Sequence, residues 1–196
     1  MAKLAYMNFK KLLAHTHNVC RQINLDKWQP DYIVGITRGG LTPAKLISHY
    51  YNLPMYTLDI RLRQDLSGIG TESNVRMARD AWGGPIGGRD RLLHKDVTNI
   101  LIVDDINDSG ATFNWIVNDW TMALSPEFIQ SHLPYLPDER KVLWRRNVRF
   151  AVLTENLASE FNEVDYCVEE VNKAEDDVWI VFPWEQWWGI NYEEKI

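Results

Sequence analysis

Short apolar runs alternate along this chain with segments in which apolar residues recur every three or four positions. The runs have the length and β-branched content of buried strands and cover residues 32–36, 55–60, 100–103, 148–154 and 165–168. The periodic segments predict amphipathic helices over residues 7–25, after Pro43 and from Phe113 to Trp120. Strands that alternate with helices indicate an α/β fold, with a parallel sheet that has helices on both faces.

The first helix is predicted to bury one face, which holds Phe9, Leu12, Leu13, Val19, Cys20 and Ile23. Residues 61–96 show no periodic core pattern and are rich in glycine. A stretch of this length within one domain is usually functional or mobile. We therefore expect a flexible loop over residues 63–91, and we interpret residues 121–147, which hold three prolines, as an insertion.

The chain is organised around residues 99–112, NILIVDDINDSGAT, in which a buried strand runs into acidic residues, a small-residue turn and a helix. The amide groups of residues 109–112 would face an anion at the start of that helix. Asp104 and Asp105 would repel a phosphate, but they suit hydroxyl groups or a metal-bound ligand. A sugar phosphate satisfies both halves of the site.

A second strand–turn–helix unit carries Arg38, Gly39 and Gly40 directly after the strand at residues 32–36. Arg38 supplies a cation, and the glycines leave their N–H groups open to a ligand. This unit therefore also predicts an anion site. Two such loops at the carboxyl ends of neighbouring strands suit a substrate with both a phosphate and a pyrophosphate.

IVDDINDSGAT resembles the phosphoribosyl-pyrophosphate (PRPP) binding motif of type I phosphoribosyltransferases, and GITRGGLTPA resembles the pyrophosphate loop of that family. The resemblance implies a Rossmann-like parallel sheet with a small C-terminal hood. It also implies transfer of phosphoribose from PRPP to a nucleobase, with Mg²⁺ as cofactor. Asp104 and Asp105 would hold the ribose hydroxyls and, directly or through water, Mg²⁺. The 5′-phosphate would lie on Ser109, Gly110, Ala111 and Thr112, and the pyrophosphate on Arg38, Gly39 and Gly40.

Asp108 occupies the position at which the purine enzymes of the family have an acid that accepts a ring proton. The same residue could instead only cap the following helix. The C-terminal segment DVWIVFPWE resembles the 6-oxopurine branch, in which an aromatic side chain stacks on the base and the next carbonyl meets its exocyclic groups. Those roles would fall on Trp179 and Ile180. The lysine that this branch uses at the purine O6 is absent from the matching segment, where Asn156 could donate instead, or Lys173 from another direction.

Composition narrows the class of protein. The 196 residues are 45% hydrophobic and 24% charged, which is typical of one globular domain. A formal charge of −6 argues against nucleic-acid binding. The chain has no 18-residue apolar run and no signal-peptide pattern near Met1, so we expect no membrane association and a cytoplasmic location. We expect a single domain over residues 1–196 with its hood over 169–196, and the family implies a homo-oligomer.

Two alternatives to 6-oxopurine transfer remain open at this point. The chain could act on another base, or it could bind PRPP or a nucleotide as a regulatory signal without turnover. The missing lysine favours the second alternative, whereas the presence of both Asp108 and Trp179 disfavours it.

Overall fold

A computed structural model describes residues 3–60, 74–82, 98–122 and 144–185. Its strands are β1 (Lys3–Tyr6), β2 (Tyr32–Ile36), β3 (Met55–Leu58), β4 (Ile100–Asn107), β5 (Val148–Asn156), β6 (Glu169–Val171) and β7 (Val178–Val181). Its helices are α1 (Phe9–Leu25), α2 (Leu41–Tyr51), α3 (Val75–Trp82) and α4 (Ala111–Met122). None of the helices in these ranges is long and apolar enough to cross a membrane.

Five strands form one sheet in the order β3-β2-β4-β5-β6, and every neighbouring pair is parallel. All five residues of β2 and the first four of β4 are buried, as expected for strands covered on both faces. Because the strands are parallel, their carboxyl ends meet at one edge of the sheet. The predicted α/β fold is confirmed.

Successive residues of β2 and β4 point into different apolar cores on the two faces of the sheet. One core packs Val34 and Ile102 against α3 and α4, including the fully buried Trp120. The other packs Ile33 and Leu101 against α1 and α2. Each large side chain buried in this way contributes about 1.5–3 kcal/mol to the stability of the fold.

The two ends of the described chain meet in a second sheet, where β1 pairs in parallel with β7. Its core contains Met7, Leu12, Leu153, Ile180 and Phe182. This small sheet is the C-terminal hood of the sequence interpretation, completed by an N-terminal strand. The predicted range of 169–196 begins too early, because Glu169–Val171 pairs with β5 in the main sheet.

Some sequence predictions need correction. Phe9 and Leu13 are 51% and 52% exposed, and Thr16 is buried instead. Its hydroxyl can be buried because it donates to the Leu12 carbonyl oxygen at 2.9 Å. The strand predicted at residues 165–168 is displaced to β6, with one bridge at Tyr166.

The predicted loop and insertion lie mostly outside the described residues. Residues 74–82 of the predicted loop include α3, which buries Met77, Ala78 and Ala81 against the main core. At the end of the predicted insertion, Asn147 is buried and its amide donates to the Thr98 carbonyl oxygen at 3.3 Å.

Candidate active site

A cavity of about 290 Å³ opens at the carboxyl end of β4. Part of its wall is the central motif, residues 104–110 with Thr112 and Phe113. The C-terminal segment supplies the rest, from Lys173, Trp179, Ile180, Phe182 and Glu185. The carboxyl edge of a parallel sheet is where ligands bind in open α/β folds.

Asp104 and Asp105 are hydrogen-bonded to each other and to surrounding amides. The Asp105 amide donates to Asp104 Oδ1 at 3.0 Å, and the Ile106 amide donates to Asp105 Oδ1 at 2.8 Å. Burial, followed by the charge of Asp105, raises the pKa of Asp104 well above its usual range. Burial also raises the pKa of Asp105 to about 6. Burial therefore disfavours ionisation of this pair, whereas a bound cation, or hydroxyl groups that donate to the carboxylates, would favour it.

The loop that contains Arg38, Gly39 and Gly40 packs directly against this acidic pair. A Cβ atom at Gly39 would overlap the Asp105 carboxylate, and one at Gly40 would overlap the Val103 carbonyl oxygen. The Gly40 amide also donates to the Asp104 carboxylate. The Thr37–Arg38 peptide is cis, and Arg38 is exposed. The loop thus adjoins the cavity wall, and Gly39 and Gly40 allow its close approach.

The turn before α4 requires glycine at position 110. Gly110 adopts a φ of +84°, which favours glycine, and a Cβ there would overlap the backbone nitrogen of Phe161. The Ala111 amide donates to the Ser109 hydroxyl oxygen at 3.3 Å, and the Gly110 carbonyl oxygen accepts from the Asn114 amide at 3.0 Å, so Gly110 holds the N-cap position of α4. Ser109, Gly110 and Thr112 line the cavity, while the side chain of Ala111 is exposed.

Asp108 is paired with a cation from the C-terminal segment. The Lys173 ammonium nitrogen lies 2.9 Å from Asp108 Oδ1 and 5.6 Å from the centre of the Trp179 ring. The Trp179 indole donates to Glu185, whose pKa is raised by burial. Asp108 thus faces Lys173 in the cavity, and Gly110 occupies the N-cap position of α4.

Asn156, which the sequence suggested as a base contact, does not line the cavity. It is 7% exposed and lies outside the cavity wall. Its amide nitrogen donates to the Asp108 carbonyl oxygen at 3.0 Å, and its side-chain oxygen accepts from the Lys173 amide at 3.0 Å. Lys173, the other residue considered from the sequence, is the one whose side chain reaches the cavity.

A family model described as the phosphoribosyl transferase domain matches residues 5–186. The chain belongs to the phosphoribosyltransferase family. It is 22% identical to hypoxanthine-guanine phosphoribosyltransferase of Saccharomyces cerevisiae, over 87% of this chain and 82% of that protein. It is 29% identical to xanthine-guanine phosphoribosyltransferase of Roseobacter denitrificans, over 83% of this chain and 71% of that protein.

Solved structures show the same fold. The purine phosphoribosyltransferase from Pyrococcus horikoshii superposes with a TM-score of 0.58 at 20% identity, covering 93% of this chain and 95% of that one. The xanthine-guanine-hypoxanthine phosphoribosyltransferase of Helicobacter pylori gives the same TM-score at 17% identity, covering 96% and 97%. The predicted family and fold are confirmed.

The cavity of this phosphoribosyltransferase is also lined by two polar residues, Asn107 and Glu185, that were not predicted as site residues. Asn107, 2% exposed, accepts from the Ser159 hydroxyl at 3.0 Å and donates to the Phe161 carbonyl oxygen at 2.8 Å. The sequence signal for Asn107 was its place as a polar residue at the end of an apolar strand. Glu185 had none beyond its position after Pro183 and Trp184.

Proposed function

We propose that this chain transfers the 5-phosphoribosyl group of PRPP to a 6-oxopurine, giving the nucleoside 5′-monophosphate and pyrophosphate. The observation that carries the proposal is the Asp108–Lys173 pair, 2.9 Å apart beside Trp179 and in the same cavity as the phosphate turn. The named purine phosphoribosyltransferases among the relatives support the same substrate class.

The pair matches the edge of a 6-oxopurine. Such a base presents a carbonyl oxygen, which accepts a hydrogen bond, beside a ring nitrogen that can carry a proton. The Lys173 ammonium can donate to the carbonyl oxygen while the Asp108 carboxylate accepts from the ring N–H. A 6-aminopurine would direct its amino donor at the ammonium, so the pair favours guanine, xanthine or hypoxanthine over adenine. Trp179 is 47% exposed and offers its ring for stacking on the base.

The transfer breaks the bond from C1′ of the ribose to the pyrophosphate oxygen, whose electron pair leaves with the pyrophosphate. A ring nitrogen of the base forms the new bond to C1′, and the ring proton passes to Asp108. Ser109, Gly110, Ala111 and Thr112 hold the 5′-phosphate with their backbone amides. Arg38, Gly39 and Gly40 stabilise the charge that develops on the leaving pyrophosphate.

We propose Mg²⁺ as the cofactor, held by Asp104 and Asp105 directly or through water. Four carboxylates and one ammonium group line the described part of the cavity, so a multiply charged anion needs an added cation there. Two adjacent carboxylates suit Mg²⁺, which binds few protein ligands and takes the rest from substrate and water. Bound Mg²⁺ would neutralise the pyrophosphate. Within the described residues, no cluster of three potential ligands forms a complete metal site of its own.

A cytoplasmic location and a homo-oligomeric state are further proposals, supported by the resemblance to the family. Size-exclusion chromatography with light scattering tests the second of them. A mass equal to a single 22.9 kDa chain would contradict it.

The test of function is pyrophosphate release from PRPP and Mg²⁺, with guanine, xanthine, hypoxanthine, adenine, orotate and uracil as acceptors. We expect turnover with a 6-oxopurine and a large loss in Asp108→Asn, which keeps the side-chain shape but accepts no proton. Asp177→Asn, which removes an exposed carboxylate outside the cavity, is the matched control.

Three other outcomes would contradict the proposal. Turnover only with a different base would overturn the substrate class. PRPP binding without turnover would indicate a regulatory protein. If calorimetry detects no PRPP binding, the proposed site is wrong.

A further inference from the structure

Asn156 joins the two segments that carry the proposed base contacts. As the last residue of β5, it stands between the turn after β4 and the loop after β6. Its amide nitrogen donates to the Asp108 carbonyl oxygen at 3.0 Å and reaches Asp108 Oδ1 at 3.4 Å. Its side-chain oxygen accepts from the amides of Lys173 and Ala158, at 3.0 and 3.1 Å. One planar group therefore contacts both segments.

The two halves of this amide have separable roles. The donor half fixes the backbone and carboxylate of Asp108, whereas the acceptor half fixes the backbone from which the Lys173 side chain extends. At 7% exposure, Asn156 has little freedom to turn away from either contact. Lys173 is itself only 17% exposed along its side chain. The amide therefore constrains both groups that would meet the base.

We propose that Asn156 is a positioning residue, which holds the Asp108 carboxylate and the Lys173 ammonium at the separation that selects a 6-oxopurine. This inference rests on the proposed function and deepens it. It replaces the sequence interpretation of Asn156 as a base ligand. Asn156 acts on the base only through Asp108 and Lys173. Replacing it should therefore lower kcat/KM for the base and leave the affinity for PRPP unchanged.

Asn156→Asp tests the donor half of the amide alone, because it keeps an acceptor for the Lys173 amide but replaces the donor with an oxygen. That oxygen faces the Asp108 carbonyl and carboxylate oxygens and repels both. Asn156→Ala removes both halves. The control is Asn172→Ala, which removes an amide that caps the same loop by accepting from the Ala174 amide at 3.2 Å.

The assay is steady-state kinetics with base and PRPP varied separately. In Asn156→Asp we expect kcat/KM for the 6-oxopurine to fall by about 10- to 100-fold, as is typical when reacting groups are misplaced by about an ångström. We expect KM for PRPP to stay unchanged and the preference for 6-oxopurines over adenine to shrink. Asn172→Ala should retain the wild-type preference.

Several results would overturn the inference. These are an equal fall in kcat/KM for the base and for PRPP, the same fall in Asn172→Ala, or an unchanged base preference in a folded Asn156→Asp protein. Calorimetric binding of a 6-oxopurine nucleotide provides a readout without turnover, and equal affinities in wild type and Asn156→Asp would also refute it. A wild-type chain that binds neither PRPP nor nucleotide refutes the proposed function itself, and this inference with it.

Discussion

Replacing Asp105 with asparagine is expected to make the folded protein more stable at neutral pH. Asp105 contacts the glycine loop on one side and Asp104 on the other, and burial raises its pKa from 3.8 to about 6. In the unfolded chain this carboxyl loses its proton near pH 4, whereas in the folded protein it keeps the proton until about pH 6. Stability therefore falls as the pH rises through this window and remains lower above it.

The size of the effect follows from the same values. A difference of about two pKa units, at about 1.4 kcal/mol each, corresponds to about 3 kcal/mol at pH 7.5. At pH 4 the same relation leaves less than about 1 kcal/mol, because this pH lies only just above the unfolded-state pKa of 3.8 and the folded-state carboxyl is still protonated. Asparagine has the shape of the protonated acid and never ionises, so the variant should gain these amounts in free energy of unfolding.

The assay is urea unfolding of wild type and Asp105→Asn at pH 4 and pH 7.5. Asp177→Asn, which changes an exposed carboxylate, is the control and should not reproduce the gain. A gain of equal size at both pH values would show that the substitution acts through packing and not through ionisation. No gain at pH 7.5 would refute the argument that burial of this charge destabilises the fold. The stabilised variant should also bind Mg²⁺ and PRPP more weakly, because it has lost a charged ligand.

Three further predictions concern the acidic pair, Lys173 and the glycine loop. Binding of Mg²⁺ and PRPP near pH 6 should release protons, because these ligands favour ionised Asp104 and Asp105. Calorimetry in buffers of different ionisation enthalpy measures this release, and its absence would contradict the raised pKa values of the two carboxyls. Lys173→Met should lower kcat/KM for 6-oxopurines by about 10- to 100-fold through loss of a charged hydrogen bond, without weakening PRPP binding by calorimetry. Gly39→Ala should displace the Asp105 carboxylate and weaken PRPP binding. Gly40→Ala should lower the free energy of unfolding by at least about 2 kcal/mol in urea titrations, because its Cβ meets rigid backbone. Similar stabilities for these two variants would contradict that distinction.

Local patterns predicted the parts of the fold that depend on neighbouring residues. The run at residues 100–103 is buried on both faces of the sheet, and Phe113, Ile116 and Trp120 are the buried face of α4. The position of β6 was predicted poorly, because only three residues pair and their partner is the distant end of β5. Helix α3 was missed because its buried residues are few, two of them alanines.

The candidate site likewise has a part that local sequence predicts and a part that depends on distant segments. Asp104, Asp105, Asp108 and the turn at Gly110 lie on one short segment, so their common cavity follows from the chain itself. The role of Asn156 could not be read in this way. Its position at the end of β5 matched that of the expected lysine, but its contacts depend on how three separate segments fold together.

The pairing of β1 with β7 has a consequence for the order in which the cavity can form. The side of the cavity proposed to bind the sugar phosphate is built on the five-stranded sheet. Trp179 lies on a two-stranded sheet whose strands are more than 170 residues apart in sequence, with Leu4 opposite Trp179. Two-stranded sheets are marginally stable alone, and a contact of such separation forms late in folding. Partial unfolding should therefore release the base side first, with β7 amides exchanging hydrogen before those of β4. Such an intermediate would still hold PRPP while it had no place for a purine.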